Sequence, residues 1–98
     1  MNKIKGIDQN QLNIIYDIIE DYPNLSFYIY GSRATRGFSP NSDLDVIVKS
    51  SERVSYEILE ELKFKFDQSN LPFIVHISDF HKLEPNFLDL IKNSMIKL

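Results

Sequence analysis

Two aspartates, Asp43 and Asp45, stand two positions apart in an otherwise apolar stretch of the chain. Side chains two positions apart on a β-strand point to the same side, about 6 to 7 Å apart, so both carboxylates could reach one hard cation. Mg²⁺ prefers one or two carboxylates together with phosphate oxygens and water. The pair therefore predicts a metal site that a bound nucleotide would complete.

A Gly-Ser pair, Gly31-Ser32, comes before the aspartates with ten residues in between. Gly31 has no Cβ, so a phosphate can approach the main-chain N–H groups and the Ser32 hydroxyl. Arg33 and Arg36 lie in the same stretch, and Arg53 is the one other arginine of the chain. Positive charge is therefore concentrated where a polyphosphate would need it, which predicts a phosphate-binding turn.

The combination of these two features is more specific than either feature alone. Gly-Ser turns are common, and an isolated Asp-x-Asp is most often the solvated face of an edge strand. A strand, a Gly-Ser turn, a short loop and Asp-x-Asp on a second strand together meet several independent conditions. In such a site the cation would neutralise charge on the transferred phosphoryl group and on the leaving pyrophosphate.

Two strands and a loop must position these residues. Residues 25–30 are rich in aromatic and branched side chains and stop at Gly31, which predicts a buried strand. Residues 31–42 contain two of the three glycines of the chain and predict a loop, with one helical turn after Ser32. Residues 43–48 predict a second strand. Its two faces would carry Leu44, Val46 and Val48 on the core side, and Asp43, Asp45 and Ile47 on the other.

Three helices and a third strand complete the predicted order α-β-β-α-β-α. Helical spacing of apolar residues follows the candidate cap Asp8 and recurs over residues 54–68 and 85–97. Residues 72–78 predict a strand with Ile74 and His76 on the same side. The apolar positions of the three helices are Leu12, Ile15, Ile19 and Tyr22, then Ile58, Leu59, Leu62 and Phe66, then Phe87, Leu90, Ile91 and Met95.

Composition limits the classes of protein that fit. A chain of 98 residues has room for one core, so residues 1–98 are expected to form one domain. The net charge of −3 argues against direct nucleic-acid binding, and the absence of cysteine excludes disulfides and thiolate metal sites. With no signal-peptide core and no membrane-spanning run, we expect a soluble cytoplasmic protein; homo-oligomerisation is left open.

The run from Gly31-Ser32-Arg33-Ala34 to Ser42-Asp43-Leu44-Asp45-Val46 resembles the nucleotidyltransferase superfamily that includes DNA polymerase β. More closely, it resembles the minimal nucleotidyltransferases (MNT) found as antitoxins beside HEPN-domain toxins. The resemblance covers nearly the whole chain. It implies the nucleotidyltransferase fold, an α/β (α+β) fold in which a small mixed β-sheet packs against helices.

The resemblance also implies an activity and a set of site residues. The activity is transfer of AMP from ATP, with Mg²⁺ or Mn²⁺, to a hydroxyl, which in MNT antitoxins is a tyrosine of the partner HEPN toxin. The residues that would bind the nucleotide or the metal are, in order, Gly31, Ser32, Arg33 and Ser42 for the nucleotide, and Asp43 and Asp45 for the metal.

One position departs from the family pattern, which usually has a third carboxylate where this chain has His76. Asp79 lies three residues further on, so in an unbroken strand it would face the opposite side and would suit a cap of the next segment. An imidazole fits zinc or manganese better than magnesium, and its unperturbed pKa of about 6.5 allows it to act as a base. His76 is therefore either a catalytic residue or a hydrogen-bonded residue of an impaired site.

Two functions of different classes follow from these alternatives. The first is an active protein adenylyltransferase that acts through Asp43, Asp45 and His76. The second is a binding module, an antitoxin that neutralises its partner by docking alone. Tyr28 and Tyr30 lie before the turn and would either stack on a base or belong to the core.

Overall fold

The computed structural model describes residue 4 and residues 6–34 and 42–98. Over these residues it shows three α-helices and one four-stranded sheet. The sheet is mixed, as expected: β1 is antiparallel to β2 and to β4, and β2 is parallel to β3, in the order β3-β2-β1-β4. Short 3₁₀ turns cover Ser32–Ala34 and Phe80–Lys82. The other elements are α1 (Gln9–Ile19), β1 (Ser26–Tyr30), β2 (Leu44–Lys49), α2 (Tyr56–Asp67), β3 (Val75–Asp79), α3 (Pro85–Ile91) and β4 (Ile96–Lys97).

The strand register divides the sheet into a core face and a second face. On the core face, Ile29 of β1 lies opposite Val46 of β2, and both join one hydrophobic cluster with residues of α1 and α2. On the second face, Tyr30 is paired with Asp45, and Asp45 is paired with His76. Three strands therefore bring polar side chains into one row across the second face. The helix residues in the core cluster are Leu12, Ile15, Leu59, Leu62 and Phe66.

The first two helices begin where the sequence predicts. Asp8 and Gln11 form a capping box, in which the Gln11 N–H donates to Asp8 Oδ1 at 2.8 Å and the Asp8 N–H donates to Gln11 Oε1 at 3.1 Å. Ser55 caps α2. Of the apolar positions predicted for α2, Leu59, Leu62 and Phe66 are buried, whereas Ile58 is 36% exposed.

The predicted C-terminal helix is shorter than expected and is followed by a fourth strand. Ile91 O accepts hydrogen bonds from the main-chain N–H and the hydroxyl of Ser94, and such local bonds compete with helix continuation. Ile96 then pairs with Ile29 at the edge of β1. The third strand also differs from the prediction, because it begins at Val75 and extends to Asp79. No helix within the described residues is long and apolar enough to cross a membrane.

Candidate metal and nucleotide site

Gly31 ends β1 and lies directly against Asp45. Its φ of +82° is a conformation that L side chains rarely adopt. A Cβ at this position would lie 2.6 Å from Asp45 Oδ2. The chain then turns through the 3₁₀ segment Ser32–Ala34, closed by a hydrogen bond from the Ala34 N–H to Gly31 O at 3.0 Å. This segment confirms the helical turn expected after Ser32. The Ser32 hydroxyl and Arg36 lie outside the described part of the chain.

Asp43 and Asp45 are held at the start of β2 by the neighbouring strand. The Leu44 N–H donates to Ile74 O at 2.8 Å, just before β3 begins. Burial raises the pKa of the Asp45 carboxyl above its usual value; His76 lowers it and the Asp43 charge adds to the increase. The two carboxylates are therefore electrostatically coupled, and a bound cation would relieve their repulsion.

His76 points at this carboxylate pair. Its Nε2 lies 2.7 Å from Asp43 Oδ2, while its position in β3 is opposite Asp45. The imidazole thus contacts one aspartate and is the strand neighbour of the other. His76, at the position where the family resemblance implies an acid, therefore lies against Asp43.

Asp79 is on the core face and does not substitute for the missing acid. Only 3% of Asp79 is exposed. Its carboxylate accepts the Val54 N–H at 2.9 Å and the His81 N–H at 3.1 Å. These bonds join the end of β3 to the segment before α2 and cap the second 3₁₀ turn, so the capping role expected for Asp79 is confirmed.

Arg33 is enclosed in the structure and ties three segments together. Its side chain is 1% exposed, and its Nε and Nη2 donate to Ser42 O at 3.1 and 2.9 Å. Its Cζ lies 4.3 Å from the centroid of the Phe73 ring. Burial lowers the pKa of the guanidinium, and the charge of Asp43 opposes that change. These contacts differ from the phosphate contact expected for Arg33, because they direct the guanidinium to the main chain before Asp43.

Tyr30 belongs to the second face next to the carboxylates. Its ring meets the Phe87 ring of α3 edge to face, with centroids 5.6 Å apart. Burial and then the Asp45 charge raise the pKa of the Tyr30 hydroxyl, and a hydrogen bond with Ser78 lowers it. Of the two roles left open for Tyr30, packing is the one for which the structure shows contacts.

The residues present fit a cation that a nucleotide helps to bind. Within the described residues, no group of three or more His, Asp or Glu side chains could hold a metal ion by itself. Mg²⁺ needs no such group, because it keeps several waters and is held by one or two carboxylates plus substrate phosphates. Asp43 and Asp45 supply that pair, and Gly31 leaves the space beside Asp45 free of a side chain.

A groove of about 450 Å³ begins at Asp43 and was not predicted from the sequence. Leu71, Pro72, Phe73 and Ile74 line it. One signal for it was present in the sequence, since strand alternation places the apolar Ile74 on the same side as His76.

Comparisons with known proteins agree with this geometry. The family model described as "Polymerase beta, Nucleotidyltransferase" matches residues 7–98. A probable protein adenylyltransferase MntA of Haemophilus influenzae is 28% identical over 87 residues, which cover 88% of this chain and 76% of that protein. The match extends well beyond the Gly-Ser and Asp-x-Asp motif.

Solved structures share the fold. A crystal structure of a toxin-antitoxin with AMP-PNP matches with a TM-score of 0.69 at 23% identity, covering 87% of this chain and 69% of that chain. A tri-AMPylated Shewanella oneidensis HEPN toxin in complex with an MNT antitoxin matches with a TM-score of 0.64 at 22% identity, covering 91% and 71%. The expected mixed sheet with packed helices is therefore confirmed as the fold of these proteins.

Proposed function

Because this chain belongs to the polymerase β nucleotidyltransferase family, we propose that it transfers AMP from ATP to a tyrosine hydroxyl of a partner HEPN-domain toxin and acts as its antitoxin. One observation carries the proposal: Gly31 lies against Asp45 at the point where His76 reaches Asp43. The Gly-Ser turn, two carboxylates and an imidazole are thereby brought together. These are the parts that nucleotidyl transfer requires.

The relatives support a protein as the acceptor. The protein from H. influenzae is a probable protein adenylyltransferase, and the Shewanella complex contains a HEPN toxin that carries AMP groups. The net charge of −3 also disfavours a nucleic acid as the acceptor, because a polyanion would be repelled. A hydroxyl on a folded partner agrees with both observations.

In the proposed reaction, the acceptor oxygen forms a bond to the α-phosphorus of ATP, the α–β phosphoanhydride bond breaks, and pyrophosphate leaves. Asp43 and Asp45 would hold Mg²⁺ or Mn²⁺, which when bound offsets the negative charge of the phosphates. The main chain at Gly31 and Ser32, together with Ser42, would position the nucleotide. His76 would take the proton from the acceptor hydroxyl.

Arg33 has an indirect role in this proposal. Its two hydrogen bonds to Ser42 O fix the main chain just before Asp43. The rigid, forked guanidinium is suited to this task, because both bonds form without further ordering of the side chain. Arg33 is thus a positioning residue for the carboxylate pair.

A second candidate function is neutralisation by binding alone. The contact between His76 and Asp43 favours it, because the imidazole engages an oxygen that the cation needs. In that case the nucleotide site would be reduced, and the antitoxin would act by covering its partner. The two candidates differ in whether neutralisation requires Asp43 and Asp45.

Radiolabelled ATP separates the two candidates. We expect the chain, incubated with α-labelled ATP, Mg²⁺ or Mn²⁺ and a cognate HEPN-domain protein, to place AMP on a tyrosine, which mass spectrometry would locate. Asp43→Asn and Asp45→Asn should abolish labelling, and the control Asp67→Asn, an exposed carboxylate at the end of α2, should not. An unlabelled partner with both metals would contradict the transferase. Neutralisation that survives the double change Asp43→Ala and Asp45→Ala would establish the second candidate.

A further inference from the structure

We propose that the groove beside Asp43, lined by Leu71, Pro72, Phe73 and Ile74, receives the acceptor side chain of the partner and is shaped for a tyrosine. We call this surface the acceptor groove. The inference rests on the proposed function, and it identifies where on this chain the second substrate binds.

The acceptor groove is held in a fixed relation to the site. The hydrogen bond from the Leu44 N–H to Ile74 O joins its wall to the strand that carries Asp45. His76 follows Ile74 by two residues and contacts Asp43, the polar end of the groove. A side chain lying in the groove would thus have its tip at Asp43 and His76, where a reacting hydroxyl has to be.

The chemistry of the walls selects the acceptor. Of the described residues that line the groove, four are apolar, one is the acidic Asp43, and none is basic. A serine or threonine is too short to cover the apolar walls, whereas a tyrosine buries its ring against them and presents its hydroxyl at the polar end. The volume of about 450 Å³ falls in the range of about 300–1,000 Å³ typical of binding pockets.

Ile74 is an exposed apolar residue that a bound partner would cover. Its side chain is 61% exposed beside the carboxylate pair. Apolar area left in water is unfavourable by about 25 cal/mol for each Å², so a partner that covers Ile74 gains affinity from it. The exposed residue lies where the proposed acceptor arrives, which gives its exposure a function.

Arg33 makes one wall of the groove rigid. Its guanidinium lies over the Phe73 ring with the Cζ atom 4.3 Å from the centroid, and it is anchored to Ser42 O. Pro72, the preceding residue, has a fixed φ. Because this wall is ordered before binding, an arriving side chain loses less free energy to ordering the groove.

A second groove, which contains an exposed aromatic side chain, offers a control. It has a volume of about 400 Å³, lies between α1 and α2, and is lined in part by Ile14, Ile18 and Phe64. Phe64 is 64% exposed, close to the value for Ile74. Phe64 belongs to α2, which packs on the core face of the sheet, away from Asp43. Replacement of either exposed side chain should leave folding intact. Only the replacement of Ile74 should weaken binding of the acceptor.

The first test compares Ile74→Ser with Phe64→Ser in transfer of AMP to a cognate HEPN-domain protein. We expect Ile74→Ser to raise the KM for the partner about tenfold, from the apolar contact that is lost, with ATP-analogue affinity unchanged. Phe64→Ser should leave both constants unchanged. Unaltered KM in Ile74→Ser, while the unsubstituted protein transfers AMP, would overturn the acceptor groove and leave the transferase standing.

The second test does not require transfer. The isoleucine methyl groups of the protein are labelled with ¹³C, and N-acetyl-L-tyrosinamide is titrated to millimolar concentrations. We expect the Ile74 methyl signal to shift while the Ile14 and Ile18 signals do not, and N-acetyl-L-serinamide to shift none. An unshifted Ile74 signal would overturn the proposal even if AMP transfer occurs. A dimer that dissociates on Ile74→Ser in sedimentation would assign the groove to a second copy and would also overturn it.

Discussion

At Gly31 the main chain and the Asp45 carboxylate are so close that no side chain fits between them. A Cβ would stand 2.6 Å from Asp45 Oδ2, and the positive φ adds backbone strain for any L residue. Because the carboxylate tip can rotate, the closest contact would be relieved by moving Asp45. Glycine is thus required here for the position of a site carboxylate as well as for the turn.

Gly31→Ala should therefore abolish AMP transfer and weaken metal-dependent nucleotide binding, with a loss of stability of about 1–3 kcal/mol from the strained φ. Gly6→Ala is the matched control, since Gly6 also has a positive φ, of 72°, and lies outside the site. Calorimetric titration with Mg²⁺ and an ATP analogue, together with thermal unfolding, measures both effects. If Gly6→Ala weakened nucleotide binding as much as Gly31→Ala, strain rather than the Asp45 contact would be the cause.

We expect His76 to affect which cation the site prefers. Its imidazole contacts Asp43, where a third carboxylate would favour a harder ion. We expect His76→Asp to strengthen Mg²⁺ binding relative to Mn²⁺ by about tenfold, a difference of about 1.4 kcal/mol. Competition of Mg²⁺ against Mn²⁺, followed by electron paramagnetic resonance with an ATP analogue bound, measures the ratio.

The control for this change is His81→Asp. His81 is also exposed, and its Nε2 lies 2.7 Å from Ser50 O, remote from Asp43 in the sequence and on a different segment. The metal ratio should not change in this variant. If His76→Asp and the unsubstituted protein had the same ratio of Mg²⁺ to Mn²⁺ affinity, His76 would not contact the cation.

Arg33 connects elements that are separate in the chain. It belongs to the turn after β1, donates to Ser42 before β2, and lies over Phe73 before β3. The three segments supply the turn, the carboxylates and the groove wall. One enclosed side chain therefore contacts all three segments, in addition to the strand pairing that joins them.

Arg33→Lys should show how much of this depends on the forked guanidinium. Lysine keeps the charge but loses the paired bonds to Ser42 O and the planar stacking on Phe73. We expect a loss of about 1–3 kcal/mol in the free energy of unfolding and weaker ATP-analogue binding. Urea unfolding and calorimetry measure these changes, with the exposed Arg53→Lys as the control. Equal free energies of unfolding for Arg33→Lys and Arg53→Lys would contradict the connecting role of Arg33.

Elements that depend on local pattern could be predicted from the sequence, whereas those that depend on distant partners could not. Asp8 and the apolar series after it correctly placed the start of α1, whereas Tyr22, the last residue of the series, lies beyond the end of the helix at Ile19. Ile91 and Met95 also fit a helical period, but Ile96 pairs with Ile29, and nothing local in the C-terminal segment indicates an available edge of β1. The contact of His76 with Asp43 depends on the parallel pairing of β2 and β3, so spacing along the chain could place both residues on strands but could not join them.

Over the whole molecule, the two faces of the sheet differ in the side chains that they carry. The core face carries the hydrophobic cluster with α1 and α2. The second face carries the coupled carboxylates of Asp43 and Asp45, with the His76 imidazole against Asp43. Such a site is expected to reduce the stability of the fold, because partly buried like charges repel each other.

Asp45→Asn should therefore stabilise the protein in the absence of metal. Burial raises the pKa of Asp45 in the folded state, so the folded protein holds this proton more tightly than the unfolded chain. The contribution of this group is fully present at acid pH and is lost as the pH rises through the folded pKa. We expect the substitution to raise the free energy of unfolding at neutral pH, by an amount that solvent screening keeps small.

Urea unfolding in the presence of a chelator measures this gain at neutral and at acid pH. It should vanish in acid, where the aspartate of the unsubstituted protein is itself protonated. The control is Asp67→Asn at the exposed end of α2. A gain that persists in acid would show that charge at Asp45 is not its source.

The enclosed position of Arg33 has a consequence for the kinetics of folding. Phe73 is distant from Arg33 in the sequence and reaches it only after β2 and β3 have paired, so this contact carries a larger loop-closure cost than the local one to Ser42 O. The contact with Phe73 is expected to form after the rate-limiting step, so its loss would speed unfolding and leave the folding rate nearly unchanged. A newly folding chain would then cross its main barrier before the wall at Phe73 is in place.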